Sequence, residues 1–120
     1  KTLEQHIVPS INAGAVQGRK PTPRVVAGFP VVVTANPDRA RELAAEVFAG
    51  YAQIPSYRAM LDREGVQGLG DLAIVGDENT VRSQLSRLES AGVTDLCAFP
   101  FEVDSGDAAR TAEFLGAMVA

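Results

Sequence analysis

An α/β fold with parallel strands is predicted by three observations. Helical and extended patterns alternate along the chain in the order helix, strand, helix pair, short strand, helix, strand, helix. The stretch Arg24 to Thr34, RVVAGFPVVVT, is rich in β-branched residues and apolar on both faces, as a strand buried in a parallel sheet must be. A second run of that character, Val93 to Pro100 (VTDLCAFP), precedes the last helix.

Each element has a local reason. Thr2 and Gln5 have the spacing of a capping box, and Leu3, Ile7 and Ile11 recur on one helical face. Pro9 should kink that helix, and Gly14 and Gly18 should end it. In the first strand Gly28 and Pro30 predict a bulge or bend. Asn36 then suits an N-cap with Pro37 at the first helical position. Ala40, Leu43, Ala44, Val47 and Tyr51 form the inward stripe of that helix. A further helix begins at Ser56 and stops at Gly65. After a Gly-rich loop comes a very short apolar run, Leu72 to Val75. Asp77 caps the clearest helix, whose inner face is Val81, Leu85 and Leu88, with Arg82, Gln84 and Glu89 outward. Asp107 is the expected cap of the last helix, with Ala108, Ala112, Leu115 and Val119 inward.

Composition narrows the function classes. One domain fits in 120 residues, so residues 1–120 read as a single segment. Eleven basic residues are scattered against 15 acidic ones, for a net charge of −4, which leaves no electrostatic footprint for nucleic acid or an anionic membrane. No apolar run is long enough to span a bilayer. A single cysteine, Cys97, rules out an internal disulfide or a thiol metal cluster and fits a reducing, cytoplasmic setting. Three strands would leave two sheet edges with unpaired backbone groups, so something else is expected to complete the sheet.

Three stretches then carry a resemblance. They are Arg24–Thr34 with the Ala- and Arg-rich helix after it; Tyr57–Gly65 (YRAMLDREG); and Ile74–Glu78 running through Val81, Leu85 and Leu88 to Ala91-Gly92-Val93-Thr94-Asp95. In this order and spacing the chain resembles the C-terminal part of the bacterial luciferase-like oxidoreductases, in the branch that uses a deazaflavin coenzyme. The resemblance implies a (β/α)₈ TIM barrel, of which these residues would be the closing strands and helices, incomplete as they stand, since such a barrel needs about 250 residues. It implies hydride transfer between coenzyme F420, or alternatively FMN in the monooxygenase variant, and a small organic substrate. Most cofactor contacts would come from strands upstream of Lys1, and the chain starts without Met, so either it is processed or its true start lies upstream. The isolated chain is expected to be inactive. Its expected partners are the rest of its own barrel or further copies of itself. The competing reading is a non-catalytic α/β module that self-associates, or binds a partner, through its open sheet edges.

Candidate chemistry is sparse. His6 is the only histidine and reads as a surface or packing residue. Cys97, between Leu96 and Ala98, reads as a small buried hydrophobe with nothing nearby to lower its pKa. Gly65 to Gly70 lacks the Lys-Ser/Thr of a phosphate loop and reads as a connector. Gly76-Asp77 could present backbone N–H groups to an anion, but Asp77 occupies the cap and would repel one. No catalytic residue and no metal ligand is assigned. The candidate substrate-pocket residues are Thr34, Phe99 and Phe101, at the C-terminal ends of the two long strands where barrel sites are built, with Tyr57 and Arg58 at the start of a helix that could form a lid.

Overall fold

A computed structural model describes Lys1–Val119. Its elements are a π-helical turn at Leu3–Ile7, α1 (Val8–Gln17), β1 (Val26–Val33), α2 (Pro37–Val47), α3 (Pro55–Glu64), β2 (Ile74–Gly76), α4 (Glu78–Ser90), β3 (Asp95–Pro100) and α5 (Asp107–Val119). The α/β class and the parallel sheet are as expected. β1 is central, with β2 on one side and β3 on the other, and both pairings are parallel. A closed barrel would need more strands than these three, and its helices would all lie outside. Here the sheet is open, and helices pack against both of its faces. Val31 and Val33 of β1, with Ile74, lie under Val81 of α4 and Phe114 of α5. Val32 and Val75, on the opposite face, pack with Ala40 and Ala44 of α2.

The expected bulge in β1 is absent. Its register with β3 runs unbroken from Val26↔Asp95 to Val31↔Pro100. Pro30 is tolerated because β2 pairs only from Val31 onward, so at Pro30 just one flank of β1 carries a ladder. Beyond the end of β3 the N–H of Val33 is satisfied from a helix. It donates to Thr111 Oγ1 at 2.9 Å, and the same hydroxyl donates to the Asp107 carbonyl at 2.7 Å. Thr111 is fully buried and fixes α5 against the sheet.

That anchor rotates α5 from its expected face. Asp107, Thr111 and Phe114 are buried, whereas Ala108 and Ala112 are exposed and Val119 is 87% exposed. On α2, Ala40 and Ala44 are buried as expected, but Val47 and Tyr51 are exposed because the helix gives way to a 3-10 turn at Ala49–Gln53. On α4, Val81 is fully buried, Leu85 and Leu88 are half-buried, and Gln84 is half-buried where exposure was expected.

Two of the expected caps, Thr2 and Asn36, are replaced by longer-range partners. Thr2 has helical backbone angles and no side-chain cap bond. Its N–H donates instead to Glu64 Oε1 at 2.6 Å, which ties the N-terminal helix to the end of α3. Pro9 does not interrupt the helix. Lacking an N–H, it is accommodated by the π-turn before it, in which Val8 N–H reaches back to the Leu3 carbonyl. Asn36 leaves its cap unmade and donates its amide to Asp104 Oδ2 at 2.7 Å. Asp77 does cap α4, accepting from Thr80 N–H at 2.8 Å.

At the N-terminal ends of β1 and β3 a polar clamp closes the sheet. Arg24 donates twice to the Asp95 carboxylate, Nε at 2.9 Å, and Thr94 Oγ1 donates to the same group at 2.7 Å. The hydrogen bonds from Arg24 and then Thr94 hold Asp95 down from 3.8 to about 2. A carboxyl depressed in the folded state stabilises the fold above its unfolded pKa of about 4 and loses that effect as pH falls through its folded value. Unfolding midpoints should therefore be insensitive to Asp95→Asn-type charge loss only below about pH 2. Between about pH 4 and pH 2 the wild type should lose stability more steeply than Asp95→Asn, measured by denaturant titration at each pH. Equal slopes would show that the clamp contributes nothing.

Candidate functional site

The C-terminal ends of parallel strands are where open α/β sheets place ligands, because loops leaving adjacent strands toward opposite faces part there. β1 leads to α2 on one face and β2 leads to α4 on the other, and between them lies a cleft of about 330 Å³. Its walls come from the two loops: Thr34, Ala35 and Pro37 after β1, with Arg41 one turn into α2; then Val75, Gly76, Asp77 and, one turn into α4, Thr80.

The loop geometry follows from the sequence. Thr34 is 1% exposed; its N–H donates to the Gly76 carbonyl at 2.9 Å and its hydroxyl accepts from Asn36 N–H at 3.1 Å. Gly76 has φ of +145°, and a Cβ there would meet Thr80 Cγ2 at 2.7 Å. Only glycine allows β2 to turn this sharply into α4.

Electrostatically the cleft is close to balanced. Arg41 is engaged by Asp38 at 3.1 Å. The backbone hydrogen bond from Thr80, then its side chain, hold Asp77 below the usual carboxylate range, against a small opposing effect of burial. An ionised Asp77 at this point disfavours a bound anion, as the sequence suggested. It is also a weak base, and the walls of the cleft contain no histidine, cysteine or lysine. The arrangement can hold a neutral polar group but offers no nucleophile–base pair.

The five candidate pocket residues do not converge. Thr34 alone lines this cleft. Phe101 is half-buried against the cluster of Val32, Ala40, Ala44, Ala73 and Val75. Phe99, on β3, is 52% exposed, and its ring crosses Gly28 so closely that a Cβ there would lie 2.9 Å from Phe99 Cε2. Tyr57 stands edge-on to Tyr51 with ring centres 5.2 Å apart, and Tyr51 continues the row to Phe48 at 5.9 Å. Arg58 is a structural clamp. Its guanidinium bonds Asp62 Oδ1 at 3.0 Å and reaches the carbonyls of Gln67 and Val66 at 3.2 and 3.3 Å, closing the Gly-rich loop onto α3.

That loop is more than a connector. Gly65 ends α3 in the left-handed region, and a 3-10 turn at Leu69–Leu72 seats Gly70 against the Arg41 carbonyl of α2. His6 is exposed. Cys97 is exposed as well, correcting the expectation of a buried thiol: in register opposite Gly28, it belongs to the part of the sheet face that no helix covers. Arg41 and Thr80 were not singled out from the sequence. Thr80 was accessible to it, since it stands three residues after the capping Asp77.

Among the described residues no group of His, Cys, Asp and Glu could hold a metal ion, and no helix is long and apolar enough to cross a membrane. Comparison with protein-family models, with curated proteins and with solved structures yields no match to this chain.

Proposed function

We propose that this chain is a wall-forming segment of a luciferase-like oxidoreductase, whose closed (β/α)₈ barrel passes a hydride between F420, or alternatively FMN, and a small organic substrate. The observation that carries the reading is the sidedness of β1 and β3. These strands are direct parallel neighbours. Along their N-terminal halves α5 lies on one face, while Val26, Gly28, Cys97 and Phe99 stay exposed on the other. Along that half of the strands, one helix-covered face and one bare face match two adjacent strands of an incomplete barrel, although α2 covers the same bare face farther along, at Val32 and Val75. The cofactor would carry the redox chemistry; the chain's own residues would shape and dry the wall. Thr34, Phe99 and Phe101 lie at or near the C-terminal ends of these strands, where such a wall meets substrate.

The test is a pair of titrations with oxidised F420 and with FMN. One uses the 120-residue chain; the other uses a longer polypeptide that includes the upstream reading frame. The longer polypeptide should bind one cofactor with a Kd of about 1 μM or below, and the short chain neither. Binding by the short chain at that affinity, or an upstream frame that encodes no strands, would overturn the reading. A second reading, a non-catalytic module acting through its sheet, is favoured by one observation: both outer strands, β2 and β3, have a free edge.

A further inference from the structure

The cleft at the ends of β1 and β2 has hydrogen-bonding capacity that the fold leaves unused. Thr34 lines it and is 1% exposed. The Thr34 hydroxyl accepts from Asn36 N–H at 3.1 Å, and among the described residues its own proton meets no acceptor. A buried donor without a partner is costly, and an acceptor on a bound molecule removes that cost.

Two opposite charges face the same space. On the α2 side, Arg41 gives Nη1 to Asp38 at 3.1 Å. The Asp38 side chain is 97% exposed, and an exposed ion pair within one helix is weak. The guanidinium therefore keeps donors for a second acceptor. Asn36 leaves α2 uncapped, which adds the positive end of that helix to the same side. On the α4 side, Asp77 accepts from Thr80 N–H at 2.8 Å and pairs with no cation among the described residues. Arg110, whose charge Asp77 feels, is held by Glu78 at 2.6 and 2.7 Å. Arg41 and Asp77 thus line one cleft without forming an ion pair. The lining also contains three apolar side chains, Ala35, Pro37 and Val75.

We propose that this cleft binds a small aliphatic α-amino acid. The carboxylate of the ligand lies toward Arg41 and the Thr34 hydroxyl, its ammonium toward Asp77, and its side chain against Ala35, Pro37 and Val75. Such a ligand is neutral as a whole. An anion alone would meet Asp77 and a cation alone would meet Arg41, so only a molecule with both charges satisfies both walls. A cavity of about 330 Å³ is at the small end for ligand sites, which suits a molecule of this size. The inference rests on the residues of the cleft and is independent of the oxidoreductase reading, whose cofactor titrations are read separately.

The test titrates the 120-residue chain with L-valine and follows backbone amide shifts by NMR. Saturable binding with a Kd of about 1 mM or below is expected, with the largest shifts in residues 34–41 and 75–80. Isovalerate, which lacks the ammonium, and L-valinamide, which lacks the carboxylate, should each bind at least about tenfold more weakly. Asp77→Asn retains a side chain that caps α4, so it should keep the wild-type circular dichroism while L-valine binds at least about tenfold more weakly and isovalerate does not. Thr34→Val, which removes the buried hydroxyl, should also weaken L-valine. Arg39→Gln, on α2 but outside the cleft, should change nothing. No saturable shift up to about 10 mM, equal affinity for L-valine, isovalerate and L-valinamide, or a folded Asp77→Asn variant that binds L-valine as wild type does would each overturn the proposal.

Discussion

Phe114→Ala should lower the free energy of unfolding by about 3–5 kcal/mol, the range for deleting a buried aromatic ring. Phe114 is 7% exposed and packs in one cluster with Val31, Val33, Ile74 and Val81, so its ring joins α5 to β1, β2 and α4 together. The guanidinium carbon of Arg82 lies 5.2 Å from the ring centre, covering the ring from α4 and adding a cation–π contact that the substitution also removes. The space left behind is bounded by sheet residues that cannot collapse into it without breaking the register of β1. Denaturant titration at fixed protein concentration measures the loss. Val119→Ala, at a position 87% exposed, should change stability by less than about 0.5 kcal/mol. A Phe114→Ala loss under about 1 kcal/mol would mean that α5 buries another face.

Gly70→Ala should cost about 3 kcal/mol, at the upper end for overpacking. A Cβ at position 70 would stand 2.4 Å from the Arg41 carbonyl oxygen and 2.9 Å from the Ala45 Cβ. Neither neighbour is the mobile end of a side chain. To relieve the clash, α2 would have to lift away from the loop, and Ala40 and Ala44 would leave Val32 and Val75. Gly116→Ala is the matched control. It lies in α5 with nothing within 4 Å of the added carbon, so it should be neutral or stabilising by up to about 1 kcal/mol through helix propensity. Thermal or denaturant midpoints of the two variants should therefore move in opposite directions. A midpoint for Gly70→Ala equal to wild type would show that the loop does not rest on α2.

Sequence pattern carried the strands well and the helix faces less well. Arg24–Thr34 and Val93–Pro100 read as buried strands because apolar runs have few other uses at that length; they are parallel neighbours, but no residue of β3 is fully buried and β1 is buried on both faces only from Val31 onward. Periodicity failed on α5 because one buried hydroxyl, Thr111, outweighs the alanines: the backbone N–H it satisfies in β1 turns the helix toward Phe114. The same physics undid the caps. Thr2 and Asn36 have the right chemistry for local caps, but Glu64 and Asp104, distant in sequence, took up their donors. Of the cleft, Thr34 and the Gly76-Asp77 turn were legible from strand ends and cap residues. Arg41 was not, since only the tertiary approach of α2 to β2 brings it there. Tyr57 and Arg58 looked available because exposed residues at a helix start carry no sign of the loop carbonyls that occupy Arg58.

The position of β1 at the centre of the sheet also bears on how the molecule assembles. During synthesis the ladders of β1 wait for chain made much later: Val31 pairs with Ile74, and Val26 with Asp95. Each pairing must close a long loop before any ladder bond rewards it, so folding is governed by non-local encounters rather than by local turns. Until β2 leaves the ribosome, Val31, Val32 and Val33 form an unprotected, aggregation-prone segment with no charged residue beside it. The buried valines that make this sheet stable are thus the ones a chaperone has reason to hold, and the interval between the synthesis of β1 and of β2 sets how long it must hold them.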